Sequence, residues 1–85
     1  MAKEDWNIDI HHAVTQVIYP LPARLALAHR DTIVGLGRNP RPPQSRPVEG
    51  LDDTYEVIVG FFRVVYQIQE EKKRIKVAMV NLRIE

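Results

Sequence analysis

Residues 54–83, TYEVIVGFFRVVYQIQEEKKRIKVAMVNLR, constrain the fold more than any other part of the chain. β-branched and aromatic residues dominate it, in runs broken by Gly60 and by the charged Glu-Glu-Lys-Lys that begins at Glu70. Runs of this kind bounded by turn signals predict consecutive antiparallel strands over 55–59, 61–69 and 74–82. Gly60 marks a tight reversal or a bulge. Arg63 falls inside the second run, between Phe62 and Val64. An arginine there is either an edge charge held in solvent or a cation aimed at an anion, and function turns on which.

Upstream, Trp6, Ile8 and Ile10 alternate with Asn7 and Asp9, the pattern of a short half-buried strand. Asp9 is placed to cap a helix that follows at once. Ile10, Val14, Val17, Ile18 and Leu21 recur at helical spacing. Pro20 and Pro22 stop that helix, because proline disfavours the αR conformation in the residue before it, and Pro22 suits the first turn of the next. Leu25, His29, Ile33 and Leu36 form a second apolar stripe, ended by Gly37, Asn39 and Pro40. Residues 40–47, PRPPQSRP, are an extended connector rather than an element. The order strand, helix, helix, three strands predicts an α+β domain spanning 1–85. Its two-helix hairpin packs on one face of a small antiparallel sheet, with the first strand at an edge.

A chain of 85 residues can bury a modest core without metal or disulfide. There is no cysteine, which excludes a disulfide framework and a zinc–thiolate site and fits a reducing compartment. No apolar run approaches the ~20 residues of a membrane span, and the acidic N-terminus lacks a signal-peptide core, so the expected location is cytoplasmic, with no membrane partner. The net charge of +1 is unevenly distributed. Arg24, Arg30, Arg38, Arg41 and Arg46 face only Asp31 in their segment, whereas Glu49, Asp52, Asp53 and Glu56 are uninterrupted by a base. A segregated basic segment suits a phosphate-bearing partner and equally suits a solvated surface. Arg38, Arg41 and Arg46 are therefore candidate phosphate contacts.

Other residues read more simply. His11 and His12 point to different helix faces and His29 belongs to an apolar stripe, so the histidines do not form a metal site, and nothing calls for a small-molecule cofactor. Trp6, Phe62 and Tyr66 sit at strand-core positions. Tyr55, near a strand start, is the better candidate for base stacking or proton donation. The Gly-Leu-Gly of residues 35–37 follows a helix rather than opening one, which excludes a phosphate loop.

Taken together, these pieces resemble the RelE/ParE superfamily of toxin–antitoxin toxins. Ile33-x-x-Leu36-x-x-Asn39-Pro40-x-Pro42 resembles the end of that family's second helix. Val48-Glu49-Gly50-Leu51 with Tyr55-Glu56-Val57 resembles the entry to its central sheet. The specific part is Gly60-Phe61-Phe62-Arg63-Val64-Val65-Tyr66-Gln67-Ile68, which resembles the signature glycine, aromatic, Arg-Val-x-Tyr-x-Ile. Val80-x-x-Arg83 resembles the final strand. The short hairpin and the Asn-Pro-x-Pro connector look more like the RelE branch than the gyrase-targeting ParE branch.

The resemblance implies a type II toxin that enters the ribosome and cleaves mRNA by attack of a 2′-hydroxyl on the adjacent phosphodiester. Its partners would be a cognate antitoxin, the ribosome and mRNA. Carried over by position, Arg63 and Arg83 fall on the arginines that bind phosphate and stabilise the transition state, a task that suits a fixed cationic fork. Two departures stand beside this. Glu56 and Ile58 replace the lysines common on that strand, and no tyrosine or histidine follows Arg83, where the chain reads Leu82-Arg83-Ile84-Glu85. Glu56 and Glu49 are the carboxylates open to a base's role. A non-catalytic binding protein of the same fold and a ParE-like inhibitor of DNA gyrase stay open as alternatives.

Overall fold

The computed structural model describes residues 5–83. It consists of β1 (Asn7–Ile10), α1 (His12–Ile18), α2 (Ala23–Arg38), β2 (Arg46–Pro47), β3 (Thr54–Val59), β4 (Phe62–Gln69) and β5 (Arg74–Leu82), with one 3₁₀ turn at Glu70–Lys72. The strands form one sheet in the order β1-β5-β4-β3-β2. The α+β architecture follows the expected element order with β1 at an edge, except that the end of the proline-rich connector, expected to form no element, pairs with β3 as the two-residue strand β2. The sheet is antiparallel from β2 to β5, but β1 joins β5 in parallel, with Ile8 beside Ile75. The sheet is therefore mixed. Two helices separate β1 from the other strands in sequence, which is enough chain to return β1 in either sense.

The helix caps differ from the expectation. Asp9 lies within β1, and His11 Nδ1 accepts from the Ala13 amide at 3.0 Å, so His11 is the N-cap of α1. Pro22 stands at the N-cap of α2 rather than inside its first turn. Leu21 falls in the turn between the helices. Within α2, His29, Ile33, Leu36 and Gly37 are buried, close to the stripe that the sequence spaces along one face. The buried His29 holds the Leu25 carbonyl through Nδ1 at 2.9 Å and meets the Phe62 ring edge-on at 5.2 Å.

The core lies between the helices and one sheet face. Val14, Ile33 and Leu36 pack there with Val57, Val59, Val64, Tyr66, Ile68, Ile75, Val77 and Val80. Side chains alternate across a strand, so the intervening residues of β3 and β4 point to the other, uncovered face. Gly60, with φ +61, makes the reversal between these strands.

β5 departs from simple alternation. Val65 pairs with Met79 and Tyr66 with Val77, which leaves Ala78 as an extra residue, a β-bulge. The bulge shifts the phase of the strand. Ile75 and Val77 face the core before it, and Val80 faces the core after it. Without that shift, Asn81 would point into the core and Val80 into solvent.

Candidate functional site

The uncovered sheet face carries the candidate site. Arg63 pairs with Ile58 on one side and with Asn81 on the other. Glu56 pairs with Arg46 across β2–β3 and with Val65 across β3–β4. These positions share the face because the strands alternate in register and the Ala78 bulge restores the phase of β5. The Arg83 amide donates to the Phe61 carbonyl at 2.7 Å, continuing the β4–β5 ladder past Leu82. Arg83, two residues beyond Asn81, thus lies on the face of Arg63. The turn at Glu70–Lys72 leaves that register open in sequence; the bulge decides it.

Electrostatics organise this face around Glu56. Arg46 Nη2 donates to Glu56 Oε2 at 2.9 Å, and Arg63 Nη1 donates to Glu56 Oε1 at 3.4 Å. The Glu56 side chain is 13% exposed, against 66% for Arg46 and 41% for Arg63. Arg63 thus stands on the central strand rather than at an edge, with part of its side chain in solvent. It reaches a carboxylate with one terminal nitrogen over a long bond, and its Nε is buried with no hydrogen-bond partner among the described residues. Cations at this spacing match anionic oxygens, and guanidinium does so bidentately.

The other sequence candidates lie elsewhere. Tyr55 pairs with Tyr66 and points to the helix side of the sheet. Arg41 lies over the Tyr55 ring at 5.3 Å, donates through Nε to the Tyr55 hydroxyl at 3.1 Å, and donates through Nη2 to Glu70 at 2.9 Å. The hydrogen bonds to Tyr55 and then to Glu70 hold its guanidinium above the ordinary arginine range. Tyr66 stacks on Tyr55 at 6.1 Å and donates to the Pro40 carbonyl at 2.7 Å. These contacts fasten the proline-rich connector to the sheet. Arg38 ends α2, in the helix layer, beside Arg30, Asp31 and Val34. The expected cationic set is thus divided: Arg46, Arg63 and Arg83 share one face, whereas Arg38, Arg41 and Tyr55 belong to the opposite side. Glu49 is exposed before β3, and the ion pair of Arg63 is with Glu56. Asn81 completes the open face and was not singled out from sequence; the three-residue interval between Val77 and Val80 is the signal that places it there.

No group of three or more His, Cys, Asp or Glu among the described residues is arranged to hold a metal ion. An apolar groove of about 220 Å³ lies on the helix layer, lined by Ile10, Ile18, Tyr19, Ile33 and Val34 with Arg30 at its rim. No described helix is long and apolar enough to cross a membrane.

The arrangement is a layer of two helices on a five-stranded mixed sheet whose open face carries several cations. The archaeal RelE of a RelE–RelB complex from Pyrococcus horikoshii superposes with a TM-score of 0.84 and 24% identity, covering 93% of this chain and 96% of that one. The isolated Escherichia coli RelE toxin superposes at 0.80 with 20% identity, covering 94% and 86%. A YoeB/ParE toxin from Agrobacterium tumefaciens gives 0.75 with 15% identity, covering 89% and 97%. Direct sequence comparison with curated proteins gave no significant match. The family profile described as the ParE toxin of the type II toxin–antitoxin system, parDE, matches residues 2–83, and the chain belongs to this family of toxins.

Proposed function

We propose that the chain is a ribosome-dependent mRNA endoribonuclease of the RelE kind. The observation that carries this reading is Arg63, presented on the uncovered sheet face beside Glu56 and on the same face as Arg83. In this scheme Arg63 and Arg83 hold the scissile phosphate and neutralise the charge that grows on its oxygens. Glu56 accepts the proton of the attacking 2′-hydroxyl as the new O–P bond forms. The P–O5′ bond breaks, the departing oxygen is protonated from solvent, and a 2′,3′-cyclic phosphate remains. Tyr55 and Tyr66, the phenols of the neighbouring strands, lie on the far side and take no part.

By likeness to the archaeal RelE–RelB complex, a small antitoxin is the cognate partner. The apolar groove between α1 and α2 gives such a partner surface to cover. Partner binding would stabilise the toxin by mass action. Co-expression with the adjacent gene tests this, and a chain that stays alone beside every neighbouring product argues against it.

A second reading is favoured by the family profile itself, whose name is that of ParE. A gyrase inhibitor needs no nuclease groups, and Arg63 would then serve a protein contact. A translating extract separates the readings. Primer extension that maps cuts in translated mRNA supports the nuclease. Intact mRNA with inhibited supercoiling in a gyrase assay supports the other. Neither effect from folded protein leaves a non-catalytic binding role.

A further inference from the structure

Arg63 and Asn81 are registered partners on β4 and β5. Each carries a buried polar atom with no hydrogen-bond partner among the described residues: Arg63 Nε, a donor, and Asn81 Oδ1, an acceptor. Buried polar groups are nearly always paired, so each such exception calls for a cause. The bonds these side chains do make are weak. Arg63 reaches Glu56 at 3.4 Å, and Asn81 Nδ2 reaches the Met79 sulfur at 3.2 Å, a thioether being a poor acceptor. The two unpaired atoms are buried, so a ligand reaches them only when these weak bonds give way and the side chains turn outward.

The chemistry of the two atoms identifies the ligand. A phosphate oxygen only accepts, so it satisfies Arg63 Nε and leaves Asn81 Oδ1 unpaired. An ammonium only donates, so it does the reverse. A hydroxyl accepts and donates together. Directly opposed residues in a ladder hold their Cβ atoms about 5 Å apart, within the span of one bridging hydroxyl. Arg46 and Arg83 share this face and supply cations for flanking phosphates. We propose that Arg63 and Asn81 form a ribose-hydroxyl subsite. A 2′-hydroxyl accepts from Arg63 Nε and donates to Asn81 Oδ1, so the face selects RNA over DNA. This rests on the nucleic-acid reading above. It adds Asn81 as a specificity residue for a ribose neighbouring the attacking one, since Glu56 lies on the β3 side of Arg63 and Asn81 on the β5 side.

The test uses the full chain, a fluorescein-labelled oligoribonucleotide and the DNA of the same sequence, with affinity read by anisotropy. The unmodified chain should prefer RNA by about 25-fold, the size of two net hydrogen bonds. Asn81→Ala should lower the RNA preference to about fivefold, the share of the remaining Arg63 bond, and leave DNA binding unchanged. Asn81→Asp keeps the accepting oxygen and adds a charge, so it should weaken both ligands while preserving their ratio. Matching thermal melts confirm that the variants fold. Equal affinity for RNA and DNA in the unmodified chain, as when water fills the gap, overturns the inference. So does a preference that Asn81→Ala leaves undiminished, or binding of neither ligand. A preference reduced in Asn81→Ala, with no mRNA cleavage in a translating extract, supports the subsite and removes the nuclease reading.

Discussion

Arg63 and Glu56 stand on adjacent strands of the uncovered sheet face and meet at 3.4 Å, while Arg46 holds the other oxygen of the same carboxylate at 2.9 Å. The carboxylate is well covered, and Arg63 keeps an unpaired nitrogen. This is an arginine positioned by a neighbour rather than saturated by it. A phosphate arriving at this face can take the fork without first breaking a short ion pair.

Arg63→Ala should reduce mRNA cleavage about a hundredfold or more, the usual loss when a transition-state donor is removed. Arg63→Lys should restore only part of it, because lysine keeps the charge and loses the bidentate geometry. Glu56→Gln should lower the rate by a comparable factor, about a hundredfold, if the carboxylate removes the hydroxyl proton. Primer extension in a translating extract measures all three. Unchanged cleavage in Arg63→Ala would remove the assigned role.

Arg41→Ala should leave cleavage within about twofold of the unmodified chain, since Arg41 lies on the helix side with Tyr55 and Glu70. Its exposed pair with Glu70 contributes little to stability, roughly 0.2–1 kcal/mol. Arg46→Ala, on the open face, should weaken cleavage more than Arg41→Ala does. The reverse ranking would place the substrate on the wrong side of the sheet.

Two glycines near the end of α2 should answer alanine in opposite ways. A Cβ at Gly37 would lie 3.1 Å from Ile8 Cδ1 and 3.2 Å from the Trp6 carbonyl oxygen, where β1 crosses the helix end. The Trp6 amide donates to the Gly37 carbonyl at 2.8 Å, which fixes that close approach. Gly37→Ala should cost about 1–3 kcal/mol, as overpacking does. A Cβ at Gly35 meets nothing within 4 Å, so Gly35→Ala should gain about 0.5–1 kcal/mol from helix propensity and a less flexible unfolded chain. Urea denaturation of both variants decides the pair.

The sequence carried the elements well because their signals are local. Period two over β3 and β4, the proline stops, and the stripe of His29, Ile33 and Leu36 each report on one element. The site was harder to read because its assembly depends on long-range register. Asn81 and Arg83 reach the face of Arg63 only through the bulge at Ala78, whose trace in sequence is a single three-residue interval. Arg41 looks like any exposed arginine in sequence. Its partner Glu70 lies 29 residues away, and only the sheet brings the two together. The parallel entry of β1 is a tertiary choice that its own alternation does not encode.

Tyr66 offers a test of how the proline-rich connector is held. Its ring is fully buried and its hydroxyl donates to the Pro40 carbonyl at 2.7 Å. Tyr66→Phe removes the donor and leaves that carbonyl short of a partner, which should cost about 1–2 kcal/mol at neutral pH. Burial pushes the Tyr66 phenol above its ordinary value. With the folded pKa raised, the unfolded chain loses its phenol proton first. The stabilisation is complete below about pH 10, the ordinary tyrosine value, and declines as pH rises through the folded value. Tyr66→Phe lacks this proton, and titrations elsewhere are common to both chains. The stability gap between them should therefore narrow as pH rises above about 10. Urea denaturation of both chains at neutral and at alkaline pH measures the gap. A gap that stays constant would show that the phenol proton is not coupled to folding.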